Sequence, residues 1–425
     1  MTQEVAPPRT VGFWGSALFQ INGMIGSGIF ALPAVLAAAV GTFAPVMIML
    51  GGVVFLPIVL TFAWLAARYD GTGGPVLYGR DAFGSFAGFQ AGWGRYAAGI
   101  ASLAANTHVM VAYFAAVFPV LAPPAVATAT VVATILLFTA ISVLGMRGSV
   151  RTLGVLTVLK LVPLTILVAS AAFGGFSGQP VALPQFSDTE AVILLLFYAF
   201  VGFENVTVPA GEVRDPQRRI PRVLLTVLAG VTAIYVLVIW AYLAIDPPGE
   251  AAENALAGAA AISLGQWGSL MIVMAAAFSI AANGFTTLVV VPRLAFGMAE
   301  QGMLPAWFAR VHARFLTPAN SIVFFGAVTA LLAAAGGFAL LAAASTLTRM
   351  LTYAISAAAL PAIERRAGGL VPLHTVMAAL ALAASIWIAS HADAKAWLIF
   401  AVLIGAGTVL YLSARRRARR TGQAA

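Results

Sequence analysis

No cysteine occurs anywhere in the 425 residues. Disulfides, thiolate metal sites and a nucleophilic thiol are excluded with it. Charge is scarce: 9% of residues are charged and 61% are hydrophobic, where a soluble domain carries about 25% charged residues. Histidine is confined to His108, His312, His374 and His391, which form no metal-spaced pair, so no metal or other cofactor is expected. The glycine-rich stretch ARYDGTGGPVLYGRD at 67–81 lacks the GxxxxGK[ST] pattern, so no nucleotide and no nucleotide-driven pump is expected of this chain. The polar opening MTQEVAPPRT is not followed by a signal-peptide pattern, and a cleaved leader is not expected.

What fills the chain is apolar sequence. About 20 such residues cross a bilayer as a helix, and twelve segments qualify, roughly at 13–38, 43–66, 84–118, 125–145, 152–174, 189–211, 222–245, 266–297, 319–335, 339–361, 371–390 and 396–413. Backbone groups in lipid must be satisfied within the segment, and strand-type alternation is absent, so the fold class is all-α membrane protein.

The net charge of +9 is not a nucleic-acid signal, because of where it lies. Arg9, Arg68, Arg80, Arg147, Arg151, Arg214, Arg218, Arg219, Arg222, Arg293, Arg310, Arg314, Arg365, Arg366 and the tail Arg415, Arg416, Arg417, Arg419 and Arg420 fall on one side of the expected topology. The other side holds Lys395 and the acids Asp246, Glu250 and Glu253. The positive-inside rule then puts both termini in the cytoplasm, with the tail ARRRARR against anionic lipid.

Three basic residues and one acid remain inside segments: Arg95, Lys160, Arg349 and Glu204. Charge at membrane depth is costly and lines cavities or pathways. Two segments are also interrupted. The first reads GSALFQINGMIGSGIFALPAVL, with Gly23, Gly26, Gly28 and then Pro33, and is expected to unwind near Met24–Gly28. Free N–H groups of the half-helix after the gap would favour an anion, and Ser27 adds a hydroxyl there. A close-packing glycine face is the plainer alternative. The sixth, AVILLLFYAFVGFENVTVPAGEV, is broken by Gly202 and Pro209. Interrupted segments in corresponding positions of two halves point to a transport site between repeats.

Three stretches resemble the amino acid–polyamine–organocation transporter superfamily: GMIGSGIF at 23–30, FVGFENVTVPAGEVRDPQRRIPR at 200–222, and RLAFGMAEQGMLPAWFARVHARFLTP at 293–318. The chain departs from it at Gly211-Glu212, where two acids are frequent, and at Asp215-Pro216, where Asn-Pro is usual.

The resemblance implies twelve transmembrane helices with a LeuT-like core of five plus five inverted helices. The N-terminal stretch 1–12 would be cytoplasmic, repeats would span 13–174 and 189–361, two peripheral helices 371–413, and a basic tail 414–425. It implies an inner-membrane amino acid permease, a symporter or antiporter and not an enzyme. The substrate α-carboxylate would meet Ile21, Met24, Ile25, Gly26, Ser27 and Gly28; the α-ammonium would meet carbonyls near Phe197, Phe200 and Val201. Tyr198 would be a lid over the substrate, with Asn106, Thr287 and Ser345 as side-chain selectors. Lys160 stands where sodium-coupled relatives hold their ion, which implies sodium independence, with protons as candidate co-substrate. Arg95, Glu204, Arg349 and Tyr353 would form the inner gate. Apart from Glu204 no acid is available for a cationic side chain, so a neutral substrate is expected. His108 is expected to be structural. A membrane-embedded enzyme and a transporter-like sensor are the competing classes; exporter and importer share one fold.

Overall fold

A computed structural model describes residues 9–145, 150–175, 180–245 and 254–420. Arg147, Asp246, Glu250 and Glu253, used above for orientation, lie outside these residues, as do the side chains of Arg419 and Arg420.

The helices run α1 (Phe13–Met24), α2 (Gly28–Val40), α3 (Ala44–Ala66), α4 (Pro75–Phe83), α5 (Ser85–Val117), α6 (Pro124–Val143), α7 (Val150–Phe173), α8 (Phe186–Glu190), α9 (Ile193–Tyr198), α10 (Pro216–Ile245), α11 (Ala255–Glu300), α12 (Ala319–Ala335), α13 (Phe338–Arg366), α14 (Pro372–Ser390) and α15 (Ala394–Arg420). Among the described residues nine helical stretches are long and apolar enough to cross a membrane, and Ile193–Thr207 and Ala319–Ala335 are shorter apolar ones. The apolar segments read from the sequence fall largely on helix, except the sixth, at 189–211, which holds only the short α9 followed by turns and 3-10 pieces. The chain is a multi-pass helical membrane protein.

α5 is the central post, packed against α13, α11, α12 and α4. Small residues make this close approach possible. A Cβ on Gly94 would lie 2.9 Å from Thr352 Oγ1, and one on Gly92 would lie 2.4 Å from Val76 Cγ2. The outer helices expose large apolar side chains, among them Leu137 of α6, Val158 of α7, Ile386 of α14 and Leu398 of α15. Such surface suits acyl chains rather than water.

Charges in the loops pair across elements. Arg9 pairs with Asp70 at 2.9 Å, and Arg68 pairs with buried Glu364 at 2.6 Å. Val11 forms an isolated bridge with Val213, tying the segment before α1 to the end of the sixth apolar segment.

Both expected interruptions are present, and they differ in kind. α1 stops at Met24 and α2 restarts at Gly28, leaving Ile25–Ser27 outside helix. The sixth segment is α-helical only to Tyr198; it then turns at Gly202 and continues as short 3-10 pieces, Phe203–Thr207 and Ala210–Glu212. The local chemistry accounts for the tighter winding. Gly202 is left-handed at φ 95°, the Gly202 N–H is taken by the Glu204 carboxylate at 3.0 Å, and Pro209 has no N–H to give.

The two interruptions cross at backbone contact. A Cβ on Gly202 would sit 2.3 Å from the Gly23 carbonyl oxygen, and one on Gly23 would sit 2.7 Å from the Gly202 oxygen. Glycine is required on both segments for this crossing, and at Gly202 also for its φ.

Candidate functional site

Unwinding α1 frees backbone groups in a place without water, so each needs a partner. On the carbonyl side the neighbours supply them. Asn283 Nδ2 of α11 donates to the Asn22 and Gly23 oxygens at 2.8 and 2.9 Å. Ser279 Oγ, one turn earlier, donates to the Ile25 and Gly26 oxygens at 3.1 and 3.0 Å. Lys160 Nζ of α7 donates to Asn22 Oδ1 at 2.8 Å and the Ile25 oxygen at 2.9 Å. Lys160 thus bonds the first segment directly, while its link to α11 is indirect, through the Ile25 carbonyl that Ser279 shares.

The donor side is left more open. The Ser27 N–H and hydroxyl both donate to Asn106 Oδ1 of α5, at 3.1 and 2.5 Å. The Tyr198 hydroxyl donates to the same oxygen at 2.9 Å, and Asn106 Nδ2 donates to Asn283 Oδ1 at 2.7 Å. The Gly28 N–H makes no hydrogen bond among the described residues. Beside it lies the buried hydroxyl of Tyr235 from α10, close to the Ile29 backbone and 2.8 Å from where a Gly28 Cβ would be.

Across the crossing the polarity reverses. The carbonyls of Ala199, Phe200 and Val201 accept no hydrogen bond among the described residues. They follow the end of α9, where carbonyls carry the negative end of the helix dipole. The rings of Phe197 and Phe200 point elsewhere, onto Phe55 of α3, so this stretch presents backbone and not side chain.

Below the crossing, the ionic groups meet in a fully enclosed cluster. Glu204 Oε1 contacts Arg95 Nε at 2.7 Å and Arg349 Nε at 3.1 Å, and all three are buried. Tyr353 donates to Glu204 Oε2 at 2.7 Å. Arg95 also bonds Asn205. The Tyr353 ring closes an aromatic box with Phe55, Phe62 and Phe203. Two guanidinium groups on one carboxylate leave the cluster one positive charge in excess.

Of the residues singled out from sequence, Gly26, Ser27, Gly28, Asn106 and Tyr198 come together at the first gap. Arg95, Glu204, Arg349 and Tyr353 come together below it. Ser345 is not free: its hydroxyl donates to the Ala98 oxygen at 2.9 Å and accepts from Arg349 Nη1 at 2.7 Å. Thr287 is buried one turn from Asn283 and makes none of these contacts. His108 bonds the Ala333 carbonyl at 2.9 Å, away from the gap. Sequence reasoning missed Ser279, Asn283 and Tyr235. Ser279 and Asn283 stand four apart on an apolar helix, hence on one face, and that spacing was a usable signal. Nothing in the sequence distinguishes Tyr235 from other tyrosines.

Two interrupted segments cross in a multi-pass helical bundle beside backbone groups that find no partner among the described residues, an arrangement suited to a membrane permease. The sequence comparisons agree. The model of the amino acid permease family matches residues 11–416, and the chain belongs to that family. Its members are transporters and not enzymes. The chain is 32% identical over 426 residues to an uncharacterized transporter of Mycobacterium tuberculosis, covering 97% of this chain and 93% of the other. It is 27% identical over 415 residues to the serine/threonine exchanger SteT of Bacillus subtilis, covering 91% and 92%.

Proposed function

We propose that the chain is a sodium-independent secondary transporter of neutral amino acids, working by alternating access through proton coupling or exchange. One observation carries the reading: the Gly28 N–H and the Ala199–Val201 carbonyls, without hydrogen-bond partners among the described residues, lie on the two segments that cross at Gly23 and Gly202. A zwitterion has the matching polarity, its carboxylate for the donors and its ammonium for the acceptors. Tyr198, already hydrogen-bonded to Asn106, covers it as the lid, and Ile21, Met24 and Ile25 flank it.

Neutrality of the substrate side chain follows from the acids. Glu204 is occupied by Arg95, Arg349 and Tyr353, and among the described residues no other acid is buried near the gap. The relative that exchanges serine and threonine supports a small neutral substrate. Lys160 occupies the coupling position, and Arg95, Glu204, Arg349 and Tyr353 act as the inner gate.

The architecture that goes with this reading has twelve crossings. Five-plus-five inverted repeats occupy 13–174 and 189–361, with two peripheral helices in 371–413. Both termini lie in the cytoplasm of a cell whose inner membrane holds the protein, with the basic tail on anionic lipid. Export uses the same geometry, with direction set by gradients. Flux of labelled amino acid into proteoliposomes tests the proposal: accumulation or exchange is expected, and no flux of any amino acid in either direction overturns it.

A further inference from the structure

The Asn106 carboxamide holds more donors than an amide oxygen can serve. Its Oδ1 accepts from the Ser27 N–H at 3.1 Å, the Ser27 hydroxyl at 2.5 Å and the Tyr198 hydroxyl at 2.9 Å. Ser27, Asn106 and Tyr198 are all buried. An amide oxygen has two lone pairs, whereas a carboxylate offers about four acceptor sites and a full charge. The donor set is therefore better matched to a carboxylate than to the group that it holds.

Neighbouring groups fix which end of the amide faces Ser27. Asn283 Nδ2 donates to the Asn22 and Gly23 carbonyl oxygens, which leaves Asn283 Oδ1 as an acceptor. Asn106 meets that oxygen with Nδ2 at 2.7 Å, and so turns its own Oδ1 toward Ser27. Two amides in series thus run from the carbonyl side of the gap and deliver an acceptor to its donor side. That acceptor sits at Ser27, where α2 begins, next to the Gly28 N–H.

We infer that Asn106 is a built-in stand-in for the substrate's carboxylate: its amide oxygen occupies the Ser27 donors, and an amino acid binds by displacing it. The inference rests on the transport reading above and adds the regulation of that same site. The carboxylate makes charge-assisted bonds where Asn106 gives up neutral ones, so displacement is favourable. The bonds that Asn106 gives up are subtracted from affinity, since a site that is competent only part of the time binds more weakly by that fraction. Displacement also releases the lid from Asn106. The Tyr198 hydroxyl then keeps the Ser102 hydroxyl at 3.3 Å and the Ser102 carbonyl oxygen at 3.4 Å within reach.

The test is equilibrium binding to the full-length protein in detergent, with labelled L-serine as the probe and the other neutral amino acids in its place where serine does not bind. Asn106→Ala leaves the Ser27 donors without their acceptor and removes what the substrate must displace. Affinity is expected to rise by about fivefold or more, the worth of one neutral hydrogen bond. The probe is also expected to raise the melting temperature of the variant more than that of the wild type, because the carboxylate repairs the deficit at Ser27. Asn106→Ser is expected to behave alike and serves should the alanine variant fail to fold; its hydroxyl can turn back onto its own helix, as Thr107 does onto the Leu103 oxygen. Equal or weaker binding in a folded variant overturns the inference. A wild-type measurement decides without any variant: with isotope-labelled asparagine, the probe is expected to raise a side-chain carbonyl stretch in the infrared difference spectrum, since an oxygen that loses its donors has a stiffer C=O bond. An unchanged asparagine band overturns the inference as well. Failure of the wild type to bind any amino acid overturns the transport reading itself.

Discussion

At the scale of single residues, Glu204 holds the largest stake. It is the carboxylate that Arg95, Arg349 and Tyr353 share, and all four residues are buried. Removing one partner of a buried ion pair strands the other at about 3–5 kcal/mol. Glu204→Ala strands two guanidinium groups at once. It is expected to fold poorly or lose transport, with partial recovery when Arg95 or Arg349 is also neutralised. Size-exclusion profiles in detergent and uptake assays read both; a single variant that is fully active would show that the cluster is uncoupled from the cycle. The glycines of the first gap make the opposite kind of prediction, one of added atoms. A Cβ at Gly26 would stand 3.1 Å from Asn106 and Asn283, and one at Gly28 would stand 2.8 Å from the Tyr235 hydroxyl. Gly26→Val and Gly28→Val are therefore expected to abolish amino acid binding while the protein stays in the membrane. Equilibrium binding checks this, and wild-type affinity in either variant would remove the gap from the site.

At the scale of elements, the two interrupted segments act as one unit because they touch through glycine backbones. Gly202→Ala puts a side chain at φ 95° and 2.3 Å from the Gly23 oxygen. Backbone strain of this kind alone costs about 1–3 kcal/mol, and the collision adds to it. The variant is expected to melt several degrees lower in detergent. Gly230→Ala, on a helix with open space around the new Cβ, is the control and is expected to match or exceed the wild type. Equal melting of the two variants would mean that the crossing yields easily.

Much of this element-level organisation is legible in the chain. Length and apolarity alone mark the helices, and GMIGSGIF marks the first break because three glycines in six residues cannot be indifferent to helix. The second break is legible only in part. Gly202 and Pro209 announce an interruption, but the 3-10 winding between them depends on Glu204 turning back onto the Gly202 N–H, which no propensity contains. The same holds for partners supplied across space. Lys160 and Glu204 are conspicuous as charges in apolar sequence. Asn283, Ser279 and Tyr235 acquire meaning only once α10 and α11 are laid beside the Ile25–Ser27 gap, because their role is to stand near backbone atoms that another segment leaves exposed.

At the scale of the whole molecule, the question is what drives the cycle, and it turns on Lys160. Its ammonium bonds Asn22 Oδ1 of α1 and the Ile25 oxygen of the gap, a carbonyl it shares with Ser279 of α11, and in the proposed reading it stands where a coupling sodium ion would otherwise sit. Both acceptors are neutral, and both belong to the segment that must rearrange when the gap opens. A fixed ammonium tethers α1 to α7. One that releases its proton keeps two N–H donors but loses its charge, so its bonds to Asn22 and Ile25 weaken and the gap loosens with them. Transport is therefore expected to be independent of sodium, and this is measured as labelled uptake into liposomes with sodium and the pH gradient varied separately. A strict sodium requirement would remove Lys160 from the coupling position altogether. With proton release in the cycle, uptake follows the pH gradient, and Lys160→Ala abolishes that dependence while binding survives. With a fixed tether, exchange proceeds without a gradient, and the same variant loses stability or switching instead. The two outcomes separate cleanly because Lys160→Ala removes the charge in both, yet only in the first does the wild type respond to pH.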